Sequence, residues 1–210
     1  MTGAGLAAVA TLAAWNDNEW VFGGTGPGGT GDPGVGTSSF NVVQSAWEGT
    51  PPAAAAITAD FESNAGDSLT FNVVPSNMTP GETIYAPVAL RTVTDSDPGT
   101  LALQPAVAAA GQTAVDAGGL LWDELTYSVR VSDDVADAAN CTPAGFTAGD
   151  AIVTGAGLSG AITPGAQPLA ADGADVQYYC FAVTLPDSAA AQDLQGRTVF
   201  PAWRFAATSS

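Results

Sequence analysis

The sequence predicts an all-β fold: an antiparallel sandwich with one long loop excursion and one or two short helices. Three observations carry it. Apolar residues alternate with polar ones in at least four separate segments, which is the period of a half-buried strand. Turn signals such as Thr79-Pro-Gly-Glu82 and Asp97-Pro-Gly-Thr100 punctuate those segments. No strand–helix rhythm runs through the 210 residues, so a parallel sheet has no crossovers to build it. A chain of this length buries a real core.

Residues 1–13 include the small, apolar run TGAGLAAVATLA, which resembles the end of a signal peptide with an A-x-A-like site at Thr11-Leu12-Ala13. The positive start of such a signal is missing, so residues 1–13 are read as its remnant. Residues 14–22 follow as a strand-like segment with Trp15, Trp20, Val21 and Phe22. Residues 23–37 read as a flexible linker, with eight glycines among the fourteen residues Gly23–Gly36. The sandwich is expected over 38–210.

Ser39–Gln44 opens the body. Leu69–Val74 places Leu69, Phe71 and Val73 on one face. Thr83–Val93 places Ile84, Val88 and Leu90 together, with Pro87 marking a bulge or an edge. Leu125–Ser132 alternates most cleanly, with Leu125, Tyr127, Val129 and Val131 inward and Thr126, Ser128, Arg130 and Ser132 outward. Asp175–Leu185 has Tyr179, Phe181, Val183 and Leu185 on one face, and Thr198–Ala207 has Val199, Trp203 and Phe205. Two helices of about two turns are expected in DDVADAAN and SAAAQDL. Thr142–Asp172 has weak periodicity and much Gly, Ala and Pro, so it reads as the excursion.

Cys141 and Cys180 are the two cysteines. They read as a disulfide because the opening residues point to export, although two thiols in a reducing compartment would look the same. Cys180 has the opposite parity to Phe181 and Val183, which puts it on the outer face where the excursion can be stapled down.

The formal net charge is −17, from 21 acids against four arginines, with neither lysine nor histidine. The acid content is ordinary; the lack of bases is not. A basic face for nucleic acid or anionic lipid is missing. No run is long enough to span a membrane, so no insertion is expected once a signal is removed. Without histidine, Ser-His-Asp and Cys-His nucleophiles and imidazole zinc sites cannot be built. No phosphate-binding glycine loop appears. Paired carboxylates remain, at Asp123-Glu124 and at Asp133, Asp134 and Asp137, but acids at strand ends are usually solvated turn residues. No catalytic residue and no cofactor is expected. Asp95 and Asp97 are weak calcium candidates, against the reading of their segment as a type I turn. Asn77-Met-Thr79 and Asn140-Cys-Thr142 match a glycosylation sequon that a bacterial chain would carry by accident.

An apolar run breaking into AAWNDNEW, then SSFNVVQSA, NMTPGETIYAPVALR and VTLPDSAAAQDLQGRTVFPAWRFAATS, resembles the TasA/camelysin family over most of the chain. The segments similar to the family are NMTPGETIYAP and LPDSAAAQDLQG, neither of them catalytic. The Gly-rich linker, the Asp193-Leu194 spacing before Gln195-Gly196 and the two cysteines depart from its pattern. The resemblance implies export with a dedicated signal peptide, a jelly-roll-like sandwich, and polymerisation into extracellular biofilm fibres by donor-strand exchange. Some relatives carry a metallopeptidase label, which a histidine-free chain gives no means to support.

On that reading the partner is the chain itself, head to tail, with other matrix or cell-wall components left open. Trp20 and Phe22 share a parity and are the expected anchors, while Asp17 and Glu19 face out. Whether the segment pairs with its own sheet or a neighbour's stays open. The alternative is a secreted monomeric binding module, self-complemented, that presents Trp47, Trp122 or Trp203 to carbohydrate or a surface. The tryptophans of alternating strands more usually lie in the core.

Overall fold

The computed structural model describes residues 39–64, 69, 77–189 and 191–210. The chain divides into two units, Met1–Thr37 and Ser38–Ser210, and the second carries all the described residues. Trp15, Trp20, Val21 and Phe22 lie outside the described residues, as do 70–74 of the expected Leu69–Val74 strand.

The architecture is an antiparallel sandwich. One sheet has five strands, β1 (Val42–Ala46), β2 (Thr83–Thr92), β5 (Thr126–Ser132), β6 (Asp150–Gly157) and β8 (Gln177–Thr184), in the order β1-β2-β8-β5-β6. The second has β3 (Gly99–Leu103), β7 (Gln167–Leu169) and β10 (Phe205–Ser209), in the order β10-β3-β7. A short ribbon pairs β4 (Val107–Ala108) with β9 (Pro201–Ala202). Among the described residues the α-helices are each about one turn: α1 (Leu120–Glu124), α2 (Val135–Ala138) and α3 (Ala191–Leu194). The last two fall where helices are expected and are about half the expected length.

Alternation explains β5: Tyr127, Val129 and Val131 are buried while Thr126, Ser128, Arg130 and Ser132 are half-buried. They face the core between the sheets, with Ile84 and Val88 of β2, Tyr179, Phe181 and Val183 of β8, Leu101 and Leu103 of β3, and Leu169 of β7. β8 sits at the centre of the large sheet and is buried on both faces, so its sequence runs almost continuously apolar. Its outer side meets a second cluster, Val43, Trp47, Ile57, Ala89, Ala138, Val176 and Tyr178. Trp47 is 8 % exposed there and packs edge-on to Tyr178 at 6.0 Å.

Pro87 sits inside β2, opposite Cys180, one residue beyond the last β1 partner at Val88. β2 is locally an edge at that point, and a missing N–H there costs no bond to β1.

Two expectations need correction. The excursion Thr142–Asp172 contains β6 and β7. β6 is built from Asp-Ala-Ile-Val-Thr-Gly-Ala-Gly, too small and glycine-rich to show a period. Its register with β5 shifts twice, and Gly155, at φ +58°, donates its N–H to Ser128 Oγ at 2.9 Å. Thr198–Ala207 is two strands and not one: β9 pairs with β4, the chain turns at Trp203-Arg204, and β10 pairs with β3. The apolar parity persists through the turn because both strands face the same core.

Cys141 and Cys180 are joined, 39 residues apart in sequence. The bond ties the turn after α2 to the outer face of β8, and Phe146 beyond it packs on Tyr85 at 5.4 Å and under Arg130 at 5.7 Å. A loop of this length contributes about 4 kcal/mol in the chain-entropy model. The double variant Cys141→Ser/Cys180→Ser is expected to lose about that much in urea unfolding. Loss below 1 kcal/mol, or an oxidised intact mass without the two-hydrogen deficit, would contradict it.

Candidate acceptor cleft

Among the described residues, the three-stranded sheet covers only part of the five-stranded one. Phe205 of β10 packs on Tyr179 at 4.6 Å and on Phe181 at 6.3 Å, so β10 lies over β8. Beyond β10 the inner face of β2 and β1 forms the floor of an apolar cleft of about 940 Å³. Ile84 and Val88 lie in that floor, Phe181 and Phe205 close one side, and Val199–Ala202 form part of a wall. Leu69 and Met78 also line it, bracketing residues outside the described set.

The wall is the β4–β9 ribbon. Val107 opposes Ala202, and Val115 bridges Thr198, so both share a face with Phe200. Val107 and Val115 are more than half exposed, and Phe200 is exposed as well. The outer edge of β4 is closed by one side chain: Asn64 Nδ2 donates to the Ala108 carbonyl at 2.9 Å, and Ala110 N–H donates to Asn64 Oδ1 at 3.0 Å.

A polar strut holds the wall's approach. Asp116 accepts from the amides of Leu121 and Trp122, each at 3.0 Å, capping α1, and from Arg197 Nη1 at 2.9 Å. Arg197 also donates to the Asp193 and Ala117 carbonyls, which anchors the turn after α3. Burial alone would raise the Asp116 pKa, but the two amides and Arg197 outweigh it and hold it below the ordinary carboxylate value.

A depressed pKa adds stability above the unfolded-state pKa and loses it as pH falls through the folded one. Melts should therefore show Asp116's contribution intact at pH 7 and fading below about pH 4. Asp116→Asn is expected to cost about 1–2 kcal/mol at pH 7 and to flatten that acid loss. An unchanged acid slope in the variant would refute the assignment.

Among the described residues, Asn41 Oδ1, Tyr127 Oη, Tyr179 Oη and Trp203 Nε1 are buried without a hydrogen-bond partner. Burial raises the Tyr127 pKa, and the neighbouring Trp203 indole moderates the rise without reaching hydrogen-bond geometry. Burial also pushes up the Tyr178 and Tyr179 hydroxyls, the latter strongly.

The sheet edges differ in how they are closed. β1 is crossed by a bridge, with Gln44 and Ala59 exchanging both backbone hydrogen bonds. β6 carries the two register shifts, and β7 is three residues with Pro168 at its middle. β10 has neither proline nor charge, and Phe205 at its start lines the cleft. Sequence reasoning missed this edge because it read β9 and β10 as one strand.

The other sequence candidates are not gathered into a site. Asp95, at φ +62°, lies in a turn where its amide donates to Asp172 Oδ1 at 3.0 Å, and Asp97 N–H donates to the Ser39 carbonyl at 2.8 Å. No group of three potential ligands forms there or elsewhere among the described residues. Trp122 is half-buried and donates to Ser159 Oγ at 2.7 Å, and Trp203 packs on Phe181, so with Trp47 buried the three tryptophans make no exposed platform.

Among the described residues, fold and cleft define an antiparallel β-sandwich with an apolar cleft between part of the five-stranded sheet, the start of β10 and the β4–β9 ribbon. No protein-family model and no curated protein matches the chain. No helix among the described residues is long and apolar enough to cross a membrane.

Proposed function

We propose that this chain is a non-enzymatic structural subunit of an extracellular or cell-surface filament, assembled by insertion of each subunit's N-terminal strand into the next. The observation that carries the reading is the apolar cleft beside an uncharged sheet edge. Apolar surface of that extent on a monomer marks a site of interaction, and β-augmentation takes affinity from main-chain bonds and specificity from alternate side chains. The tethered Trp15–Phe22 segment has the composition for it. The resemblance to the TasA/camelysin family supports the same reading, and a jelly-roll strand order belongs to it. Secretion accords with the disulfide, a bond of oxidising compartments. Neither nucleic acid nor a cofactor enters this function.

Electron microscopy of the purified protein at neutral pH tests it. Filaments with a regular subunit repeat are the expected result, and a persistently monomeric protein at high concentration would overturn the reading. Peptide and glycoside hydrolysis should be absent from the same preparation; activity that survives repurification would refute the non-enzymatic part.

A further inference from the structure

We infer that Cys180 is the exchange-active sulfur of the Cys141–Cys180 bond. The bond opens and closes by reaction at Cys180 with an external thiol or disulfide, Arg130 holds the charge this sulfur carries when open, and Cys141 is the resolving thiol. Neither the filament reading nor the cleft enters this inference.

The sheet register places the groups. Cys180 stands opposite Pro87 of β2 on one side and Arg130 of β5 on the other. Arg130 and Cys180 both point to the outer face, since Val129, Val131, Tyr179 and Phe181 are buried between the sheets. Side chains directly opposite in an antiparallel pair start about 4.5–5.5 Å apart. The guanidinium is pinned near that place. Its Nη1 donates to the Thr147 carbonyl at 3.1 Å and the Gly149 carbonyl at 2.6 Å, and the group lies over the Phe146 ring at 5.7 Å. All three residues belong to the segment that follows Cys141. These partners are neutral, and among the described residues no carboxylate comes within ion-pair distance of Arg130. Its charge is left for a thiolate.

The two sulfurs differ in access. A cavity of about 20 Å³, room for about one water, is lined by Arg130, Ser132, Asp137, Tyr178 and Cys180. Cys180 is half-buried beside that space, whereas Cys141 is 8 % exposed. Asp137 brings an opposing charge to the lining, but its Oδ2 accepts from Ser132 Oγ at 2.7 Å. Ser132 pairs with Tyr178, which sets Asp137 one step along the sheet from the Arg130–Cys180 row. Burial keeps Tyr178 neutral, and Pro87 brings no charge from β2. A reachable thiol facing a cation is reactive, and a buried one is inert.

In the open form Cys180 is therefore the thiolate and Cys141 keeps its proton. Closing begins when the Cys180 thiolate attacks an external disulfide RSSR, forming Cys180–S–S–R and expelling RS⁻. Cys141 then gives its proton to water and attacks Cys180 Sγ, which closes the bond and expels the second RS⁻. Two electrons pass from the cysteines to the external disulfide, and opening by a thiolate is the reverse. The turn that carries Cys141 has supports besides the bond. Ala136 N–H donates to Asp134 Oδ1 at 2.7 Å, Ser132 holds Asp137, and Phe146 packs on Tyr85 at 5.4 Å. The resolving thiol thus stays within reach, and the second step is effectively unimolecular.

Reduced full-length protein mixed with oxidised glutathione tests this, with acid quenching and peptide mapping of the first mixed disulfide. Glutathione on Cys180 is the expected result. Glutathione on Cys141, or on both alike, would overturn the inference, as would loss of near-UV circular dichroism on reduction, because the open form must stay folded. Two single-thiol chains give a second measurement. Cys141→Ser should react with oxidised glutathione faster than Cys180→Ser, and the difference should vanish in urea. Adding Arg130→Gln to Cys141→Ser should move the thiolate absorbance titration to higher pH. Below the midpoint it should slow the reaction about threefold, the balance of a roughly tenfold smaller thiolate fraction and a stronger intrinsic nucleophile. Arg130→Lys should restore both. Equal rates for the two single-thiol chains, or a titration that Arg130→Gln leaves in place, would overturn the inference.

Discussion

A chain lacking residues 1–36 is expected to stay folded and to form no filaments. The body keeps the disulfide and the two clusters of buried side chains described in it. The vacated cleft leaves apolar surface and an unpaired edge, so some disordered aggregation is expected alongside the loss of ordered assembly. Trp20→Asp should act in the same direction more gently, because a carboxyl group, even neutralised, is costly to bury unpaired in an apolar pocket. A synthetic peptide of Ala14–Gly24 added to the truncated protein should bind. At about one hundred times its Kd it stabilises by about 2.7 kcal/mol, or about 5–10 °C in a domain of this size. The same peptide should cap growth of the full chain. Ordered filaments from the truncated protein would end the donor-strand reading.

Phe181→Ala is expected to have the largest effect on stability of any single change in the body. Phe181 is 1 % exposed, opposite Ala86 of β2 and Val129 of β5, at the centre of the large sheet. Its ring meets Trp203 at 4.9 Å and Phe205 at 6.3 Å, the two aromatics that flank the corner between β9 and β10. It therefore joins the sheet floor to the strand edge that borders the cleft. Truncation should cost about 3–5 kcal/mol, the range for a large buried aromatic, since the packed strands on both sides leave little room to collapse. Urea unfolding reads the loss directly. Peptide affinity should fall with it, because Phe181 lines the cleft. A loss under 1 kcal/mol would show that the two sheets are not joined through this side chain.

Strand type and the inward faces of β5 and β8 were legible in the sequence because each depends on local pattern, whereas the disulfide was read from a cysteine pair behind an export-like start. Alternation over Leu125–Ser132 names its own buried face, and the parity of Cys180 against Phe181 names the side on which the cysteine lies. Strand partners are another matter. β6 has alanine and glycine where a period would show, and only its register with β5 makes it a strand. Thr198–Ala207 has one unbroken apolar parity, yet it serves two sheets, because side-chain period reports which face is buried and not which neighbour supplies the hydrogen bonds. The Asp116–Arg197 pair joins groups 81 residues apart, and only the aspartate's place ahead of a glycine pair and a helix hinted at a cap. The sequence by itself determined an antiparallel sandwich, and it placed Cys180 on the outer face of its strand. Tertiary structure alone decided that, among the described residues, three strands lie over five, with an apolar cleft beside the start of β10. Where such a cleft falls depends on how many partners the rest of the chain supplies, and no local stretch carries that count.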